Sequence, residues 1–392
     1  MAETFDVEAN VDKPSLDDRD KLRARVYFDW NATAPPLARA LDAMHEASLK
    51  AWANPSSVHG DGRRARGCVE DARASVGELA AMDPRDVILT SGGTEANNLA
   101  LRSAFLSPGG VLITSRLEHP SITRVAEALA REGRATVHWL RVAPGGAIDL
   151  DDLDRALEAP HVRLVAVQAV NHETGVIQPL RAVLERTGHR VPLHVDAVQA
   201  FGRVAETGQG AATRSMAAHK IRGPKGIGAL ITRTGVRIEP VLLGGAQERG
   251  IRPGTIDPVA AAGFAVAAHH AGDGALRYAS VEKLRDRLEG ALIELAPGAQ
   301  VNGGGARAPH VTNISFPRWL GPELVAALDL EGISVSSGSA CSAGTHEPSP
   351  VIDAMLGPDR AASAVRISLG ESSTTDEVEL AISAFFKVLR RS

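Results

Sequence analysis

Val87-Ile88-Leu89-Thr90-Ser91-Gly92-Gly93-Thr94-Glu95-Ala96-Asn97-Asn98 begins as an apolar, β-branched run, turns through two glycines and continues as a helix-forming string. A short buried strand feeding a small-residue turn and then a helix is the unit from which parallel sheets are built. The same rhythm recurs on both sides of it, with β-branched runs at 111–114, 162–167, 193–195 and 228–232 and helical stretches between most of them. This order predicts an α/β fold whose mainly parallel sheet is covered by helices on both faces. Ligands in such sheets sit beyond the carboxyl ends of the strands.

After 274 the pattern changes to long helices at 279–295 and 377–391, mixed with short strands near 312–316, 333–336 and 365–369. We expect a large domain over 38–274, a small α+β domain formed by 25–37 together with 275–392, and a floppy acidic extension over 1–24. With 392 residues, 44% hydrophobic, the chain is long enough for two packed units of this kind. Its 43 Lys plus Arg against 47 Asp plus Glu give a formal charge of −4 and no basic excess to attract nucleic acid or an anionic membrane. The longest apolar stretch, 259–268, is about half the ~20 residues that a spanning helix needs. An N-terminus rich in Asp and Glu, without an apolar core, has the wrong character for a secretory signal, so a cytoplasmic location is expected. Only two cysteines occur, Cys68 and Cys341, too few for a disulfide framework.

Five strings carry candidate chemistry. The turn at Ser91 to Thr94 presents the free N–H groups of a helix start, which suits a phosphate; an ordinary capped strand-to-helix turn reads the same way. His194-Val195-Asp196-Ala197-Val198-Gln199 places a carboxylate at the end of a buried-looking strand, where it needs either a cation or a capping role. Ala218-His219-Lys220 sets a lysine among small residues ahead of a rigid Gly-Pro turn; the amine is an imine former if partly desolvated and a solvated surface group otherwise. Ser336-Ser337-Gly338-Ser339-Ala340-Cys341-Ser342-Ala343-Gly344 offers almost nothing apolar to bury a thiol, so a reactive Cys341 on a mobile loop is expected, while Cys68 reads as a packing residue in a helix. Arg366 interrupts an apolar alternation and wants a planar anion, whether a ligand carboxylate or a structural ion pair.

Together these strings resemble the cysteine desulfurases, pyridoxal-phosphate enzymes of the class V aminotransferase group. The likeness runs from Tyr27 to Leu389 and includes Phe28-Asp29-Trp30-Asn31-Ala32-Thr33-Ala34-Pro35, Asn54-Pro55-Ser56-Ser57-Val58-His59, Glu118-His119, Asn171-His172-Glu173-Thr174-Gly175 and Glu347-Pro348-Ser349. The resemblance implies a fold-type-I transferase with a seven-stranded, mainly parallel sheet in the large domain. It implies that Lys220 holds the cofactor as a Schiff base, that Asp196 pairs with the pyridine nitrogen, and that His119 stacks on the ring. Gln199 and His172 would reach the ring hydroxyl, while Gly93, Thr94 and His219 hold the phosphate. Thr255 would come from the second subunit of a homodimer, and Arg366 would grip the substrate carboxylate. The implied reaction converts L-cysteine to L-alanine, with sulfur passed to Cys341 as a persulfide for delivery to an acceptor protein.

Two positions depart from the family pattern. His172 stands where an asparagine is usual, and Ala217 stands where a phosphate-binding serine is usual. Alanine donates no hydrogen bond to phosphate, so weaker cofactor retention is expected. The rival expectations are another fold-type-I pyridoxal-phosphate enzyme, such as a selenocysteine lyase or a C–S lyase, and a cofactor-free scaffold. No short ligand spacing recommends a metal site.

Overall fold

The computed structural model describes residues 25–188, 190–338 and 348–390; the expected extension over 1–24 and the segment 339–347 with Cys341 lie outside the described residues. A two-residue strand, β1 (Val26–Tyr27), precedes a seven-stranded sheet made of β2 (Val87–Thr90), β3 (Val111–Ser115), β4 (Thr136–Leu140), β5 (Val162–Gln168), β6 (Leu193–Asp196), β7 (Thr213–Ala217) and β8 (Gly228–Thr232). Their spatial order is β2-β8-β7-β6-β5-β3-β4. Only β8 runs against its neighbours; the pairs from β7 to β4 are all parallel. The fold is thus the α/β class expected, with a mainly parallel sheet.

Two of these strands are not among the apolar runs read from the sequence, and each has a physical reason. β4 is an edge strand, partly exposed and carrying His138, so it lacks a continuous apolar signal. β7 is buried along its whole length but reads Thr-Arg-Ser-Met-Ala. Its polar groups are satisfied inside: Arg214 donates to the Ala80 carbonyl at 2.7 Å, and Thr213 meets His194 at 2.8 Å. A strand that buries paired polar groups is invisible to hydropathy.

The chain reverses its lateral direction within the sheet. From β3 it moves outward to β4, then returns across β3 to β5 and proceeds through β6 and β7. A crevice therefore opens beyond the carboxyl ends of β3 and β5, the place where open α/β sheets bind ligands. The loops leaving these two strands carry His119 and His172.

A second apolar core follows the sheet. Strands β9 (Gln300–Val301), β10 (Val311–Ser315) and β12 (Ala364–Ser368) form an antiparallel sheet in the order β12-β10-β9, and β11 (Ile333–Ser334) pairs in parallel with β1. The helices Glu282–Leu295 and Thr375–Leu389 cover it, burying Leu288, Leu292 and Phe385 against Ile314, Phe316 and Val365. The helix read over 279–295 is broken, ending one short helix at Ala279 and starting the next at Glu282. Thr374 and Glu377 form a reciprocal capping box at the start of the final helix. Val26 and Phe28 belong to this second core, so the N-terminal described strand is stitched to the C-terminal part of the chain.

Where the two cores meet, Glu371 gathers three bases. Its Oε1 accepts from Arg222 and from His270, each at 2.7 Å, and its Oε2 accepts from Arg277 at 2.7 Å. Trp30 lies beneath Arg222, and a Cβ on Gly370 would approach Trp30 Cε2 to 1.9 Å, so only glycine fits there. Burial works to raise the Glu371 carboxyl, yet the bonds from Arg277, His270 and Arg222 bring it down to about 2 from an ordinary 4.5. Breaking a buried pair costs about 3–5 kcal/mol, so Glu371→Ala is expected to lose about 3 kcal/mol of unfolding free energy in urea at neutral pH. A depressed carboxyl pKa stabilises the fold above its unfolded value and ceases to do so as pH falls through the folded one. The difference between wild type and variant should therefore shrink as pH drops from about 4.5 to about 2. A difference that stays constant over that interval would contradict the assignment.

Candidate active site

The helix Gly93–Ala104 begins at the crevice, with Gly92 at its N-cap in a backbone conformation (φ 152°) that favours glycine. A Cβ on Gly93 would lie 2.6 Å from Val198 Cγ2, so glycine alone lets the helix start sit against the turn after β6. Gly93 and Thr94 line a cavity of about 200 Å³ there, with the unpaired N–H groups and positive dipole end of the helix beside it. One turn further on, Asn97 faces the same cavity. Its Nδ2 donates to Asp196 Oδ2 and to Ser121 Oγ, each at 2.8 Å.

Asp196 ends β6 inside this cavity. Besides Asn97, it accepts from the Val198 N–H at 3.1 Å and the Ser215 hydroxyl at 3.3 Å. All three donors are uncharged. The turn-capping reading is thus realised through Val198, while the carboxylate also lines the cavity. His194 fixes the arrangement from behind: its Nε2 donates to Asn97 Oδ1 at 3.0 Å and its Nδ1 faces Thr213 Oγ1 at 2.8 Å. Burial, opposed by Asp196, lowers His194 to about 4, so the imidazole is neutral at physiological pH.

Lys220 lies on the single turn Ala218–Ile221 after β7 and is half-buried in the cavity wall. Its Nζ donates to the carbonyls of Asn31 at 2.5 Å and Ala32 at 2.8 Å. His219 beside it places Nδ1 3.1 Å from Thr33 Oγ1. Burial, and then the positive charge of Lys220, Arg203 and Lys225, lowers His219 to about 3. It enters any binding event as a neutral ring.

His119 caps the helix Pro120–Arg131; its Nδ1 accepts from the Ser121 N–H at 3.1 Å. That bond puts the proton of the neutral ring on Nε2. Burial lowers its pKa, with Asp196 opposing and Lys220 reinforcing. His172 approaches it edge-on, ring centres 5.3 Å apart. Arg366 on β12 donates to the His172 carbonyl at 3.1 Å and to Asp29 Oδ1 at 2.6 Å, while its buried Nε has no partner. It serves a structural ion pair and still lines the cavity with a donor to spare. Gln199 donates to the Asn31 carbonyl at 3.0 Å and accepts from Arg203.

Ten of the residues singled out in the sequence therefore converge on one cavity: Gly93, Thr94, His119, His172, Asp196, Gln199, Ala217, His219, Lys220 and Arg366. Thr255 does not line it and is exposed. Cys341 lies outside the described residues. Sequence reading assigned no part to Asn31, Asn97, Ser121 or Arg203. Asn97 had a signal, since it sits three residues beyond Thr94 and four beyond Gly93 on one helical face. Arg203 had none: nothing in its sequence neighbourhood announces a fully buried guanidinium held by the carbonyls of Trp30 and Lys220 and the side chains of Asn31 and Gln199.

An anionic ring aldehyde fits these groups. The buried Arg366 Nε and both His172 ring nitrogens lack partners, the helix start is open to a phosphate, and an amine and a carboxylate line the same wall. The sequence profile of the aminotransferase class-V family matches residues 26–380. The chain belongs to this family. A cysteine desulfurase of Cereibacter sphaeroides is 39% identical over 364 residues, covering 91% of this chain and 93% of the relative. A solved NifS-like protein matches with a TM-score of 0.86 at 32% identity, covering 94% of this chain and 100% of its own. A further solved relative, SspA in complex with cysteine, matches at 0.78 and 28% identity, over 89% of this chain and 99% of that one. This class-V family member is a pyridoxal-phosphate-dependent enzyme.

Ala217 brings only a methyl group to the cavity wall, close to the helix start at Gly93. A neutral hydrogen bond is worth about 0.5–1.5 kcal/mol net. Ala217→Ser is expected to tighten pyridoxal phosphate binding by up to about tenfold in equilibrium dialysis against cofactor-free protein. Unchanged affinity would show that residue 217 does not reach the phosphate.

Proposed function

We propose that this enzyme converts L-cysteine to L-alanine and passes the sulfur to Cys341 for delivery to an acceptor protein. The observation that carries the reading is a single cavity wall holding the Lys220 amine, the Asp196 carboxylate and the Arg366 guanidinium. Pyridoxal phosphate, when bound, supplies an aldehyde and an electron-accepting ring. Lys220 would hold the aldehyde and, once released, move the Cα proton at its Nζ. Asp196, oriented by Asn97, Ser215 and the Val198 N–H, would hold the proton of the ring nitrogen. His119 would cover the ring face, Gln199 and His172 would serve the ring hydroxyl, and Gly93, Thr94 and His219 would bind the phosphate. Arg366, anchored by Asp29, would orient L-cysteine through its carboxylate.

The flanks of the Cys341 segment support the thiol's role. Ser336 exchanges backbone hydrogen bonds with Arg366 at 3.1 and 2.7 Å, and Ser349 donates to Glu173 Oε2 at 2.5 Å. One flank is thus tied to a residue that lines the cavity and the other to the chain neighbour of His172. Cys341 follows Gly338 by three residues, a reach of roughly 10 Å for extended chain. The domain division at 274 and a homodimer belong to the same proposal. Leu242, Leu243, Trp52 and Val58 are exposed apolar side chains in the segments that flank a groove lined by Pro55, Ser56, Gln247, Arg249 and Ile256, and Thr255 is adjacent in sequence. A second copy covering this face would bring its own Thr255 toward the phosphate. Thiol chemistry of this kind suits a reducing compartment such as the cytoplasm.

Incubation of the purified protein with L-cysteine should yield alanine together with protein-bound persulfide. Cys341→Ala should keep the visible absorbance of the bound cofactor and form no persulfide; full turnover in that variant would overturn the role of Cys341. Lys220→Ala should lose the Schiff-base absorbance, and an unchanged band would remove Lys220 from its position.

A further inference from the structure

Three segments of the cavity wall are tied together behind it by Arg203, which is fully buried and does not itself line the cavity. Its Nη2 donates to the carbonyls of Trp30 at 3.1 Å and Lys220 at 2.8 Å. Its Nη1 donates to the side-chain oxygens of Asn31, at 3.0 Å, and of Gln199. The loop at 30–31, the turn after β6 and the turn after β7 are thereby held to one planar group.

A guanidinium has only donors, so every atom that hydrogen-bonds to it must be an acceptor. This settles which end of each amide faces it. Gln199 turns its oxygen to Arg203 and its Nε2 away, where one N–H goes to the Asn31 carbonyl at 3.0 Å and the other is left for the cavity. Asn31 likewise turns Oδ1 to Arg203 and Nδ2 to the His172 carbonyl at 3.1 Å. A neutral side chain carrying both a donor and an acceptor at this place would let either amide reverse. With the guanidinium there, the Gln199 amide can only donate to a guest.

We propose that Arg203 is a positioning residue for the cofactor: acting through Gln199, it selects a bound ring whose oxygen is deprotonated. A ring hydroxyl can donate or accept, but opposite an N–H it must accept, and an ionised oxygen makes the stronger, charge-assisted bond. The inference rests on the reading that Gln199 serves the ring oxygen. It needs nothing from the substrate or from the sulfur acceptor.

The charge of Arg203 acts in the same direction, since none of these four acceptors is charged. The charged groups around it are engaged elsewhere: Lys220 donates to the carbonyls of Asn31 and Ala32, Arg366 pairs with Asp29, and Glu371 accepts from Arg222, His270 and Arg277. Burial, and then the charges of Lys220 and Arg203, lowers His219 to about 3; burial, and then Arg203 and Arg285, holds His310 well below its ordinary value. Burial also raises the Tyr278 hydroxyl against the charge of Arg203, so these three rings are neutral at physiological pH. An ionised ring oxygen at Gln199 meets a fixed positive charge one side chain away.

The test measures, by equilibrium dialysis against the cofactor-free full chain, the affinities for pyridoxal phosphate and for its 3-deoxy analogue, which lacks the ring oxygen. Wild type should prefer pyridoxal phosphate by about tenfold or more. Arg203→Gln and Gln199→Ala should each cut that preference by about tenfold, and the double variant should cut it no further. Arg203→Lys, which still offers only donors, should keep it. Equal weakening of both ligands in Arg203→Gln would show a merely structural part, and additive losses in the double variant would show that Arg203 does not act through Gln199; either result overturns the proposal. Loss of the preference in Gln199→Ala but not in Arg203→Gln sinks the proposal alone, whereas a full preference in Gln199→Ala sinks the Gln199 reading as well. Should Arg203→Gln fail to fold, wild type decides with pyridoxine phosphate, whose ultraviolet band reports the ionisation of the ring oxygen. Bound to the protein, that oxygen should titrate about one pH unit or more below its value free in solution, and an unshifted titration would overturn the proposal.

Discussion

A carboxylate at the end of a central strand has to be held, and Asp196 is held wholly by uncharged donors. That constraint organises much of the cavity. Asn97 can serve Asp196 only because its own amide is oriented by His194, whose Nε2 donates to Asn97 Oδ1 while its Nδ1 meets Thr213 on the neighbouring strand. The relay spans three elements and accounts for the polar composition of β7. It also explains the crowding at Gly93: the helix that delivers Asn97 must start against Val198, where any side chain would collide.

Charge balance gives the cavity its preference for anions. Lys220 and Arg366 line it, Arg203 lies behind it, and Asp29 pairs with Arg366. Arg203 is the extreme case, a buried guanidinium whose hydrogen bonds go to carbonyl-type acceptors and whose Nε has no acceptor. A buried positive charge of this kind is costly unless something opposes it. A guest bearing a phosphate and a substrate bearing a carboxylate would supply opposing negative charge, and the open helix start would add to the same field.

Fold class was legible in the sequence because β2, β3, β5, β6 and β8 are apolar runs between glycine-rich turns. β4 and β7 were not, one being a partly exposed edge and the other hiding paired polar groups. In the site, residues with distinctive chemistry beside small residues, such as Lys220 and the turn at Gly92-Gly93, stood out. Asn31, Asn97 and Arg203 did not, since their parts depend on partners brought together only by the fold, with 172 residues separating Asn31 from Arg203. Arg366 shows why a choice between ion pair and ligand group could not be made from sequence. One guanidinium has enough donors for both, and the fold uses two outward and leaves the third.

The two cavity histidines differ in what their backbone surroundings allow. His119 sits at a helix N-cap, where an orphan N–H occupies Nδ1 and locks the tautomer. His172 sits in a turn whose nearby backbone N–H groups, those of Glu173 and Thr174, are already taken by Asn171 Oδ1. Its ring is left without a local hydrogen bond and answers to Glu173 and to whatever fills the cavity. An imidazole held at a helix N-cap presents only its Nε2–H to a guest, whereas His172 keeps both ring nitrogens open. The same carboxyl receives Ser349, which caps the helix Pro350–Leu356 immediately beyond the Cys341 segment. Glu173 therefore stands between His172 in the cavity wall, 3.6 Å away, and the helix that follows the Cys341 segment.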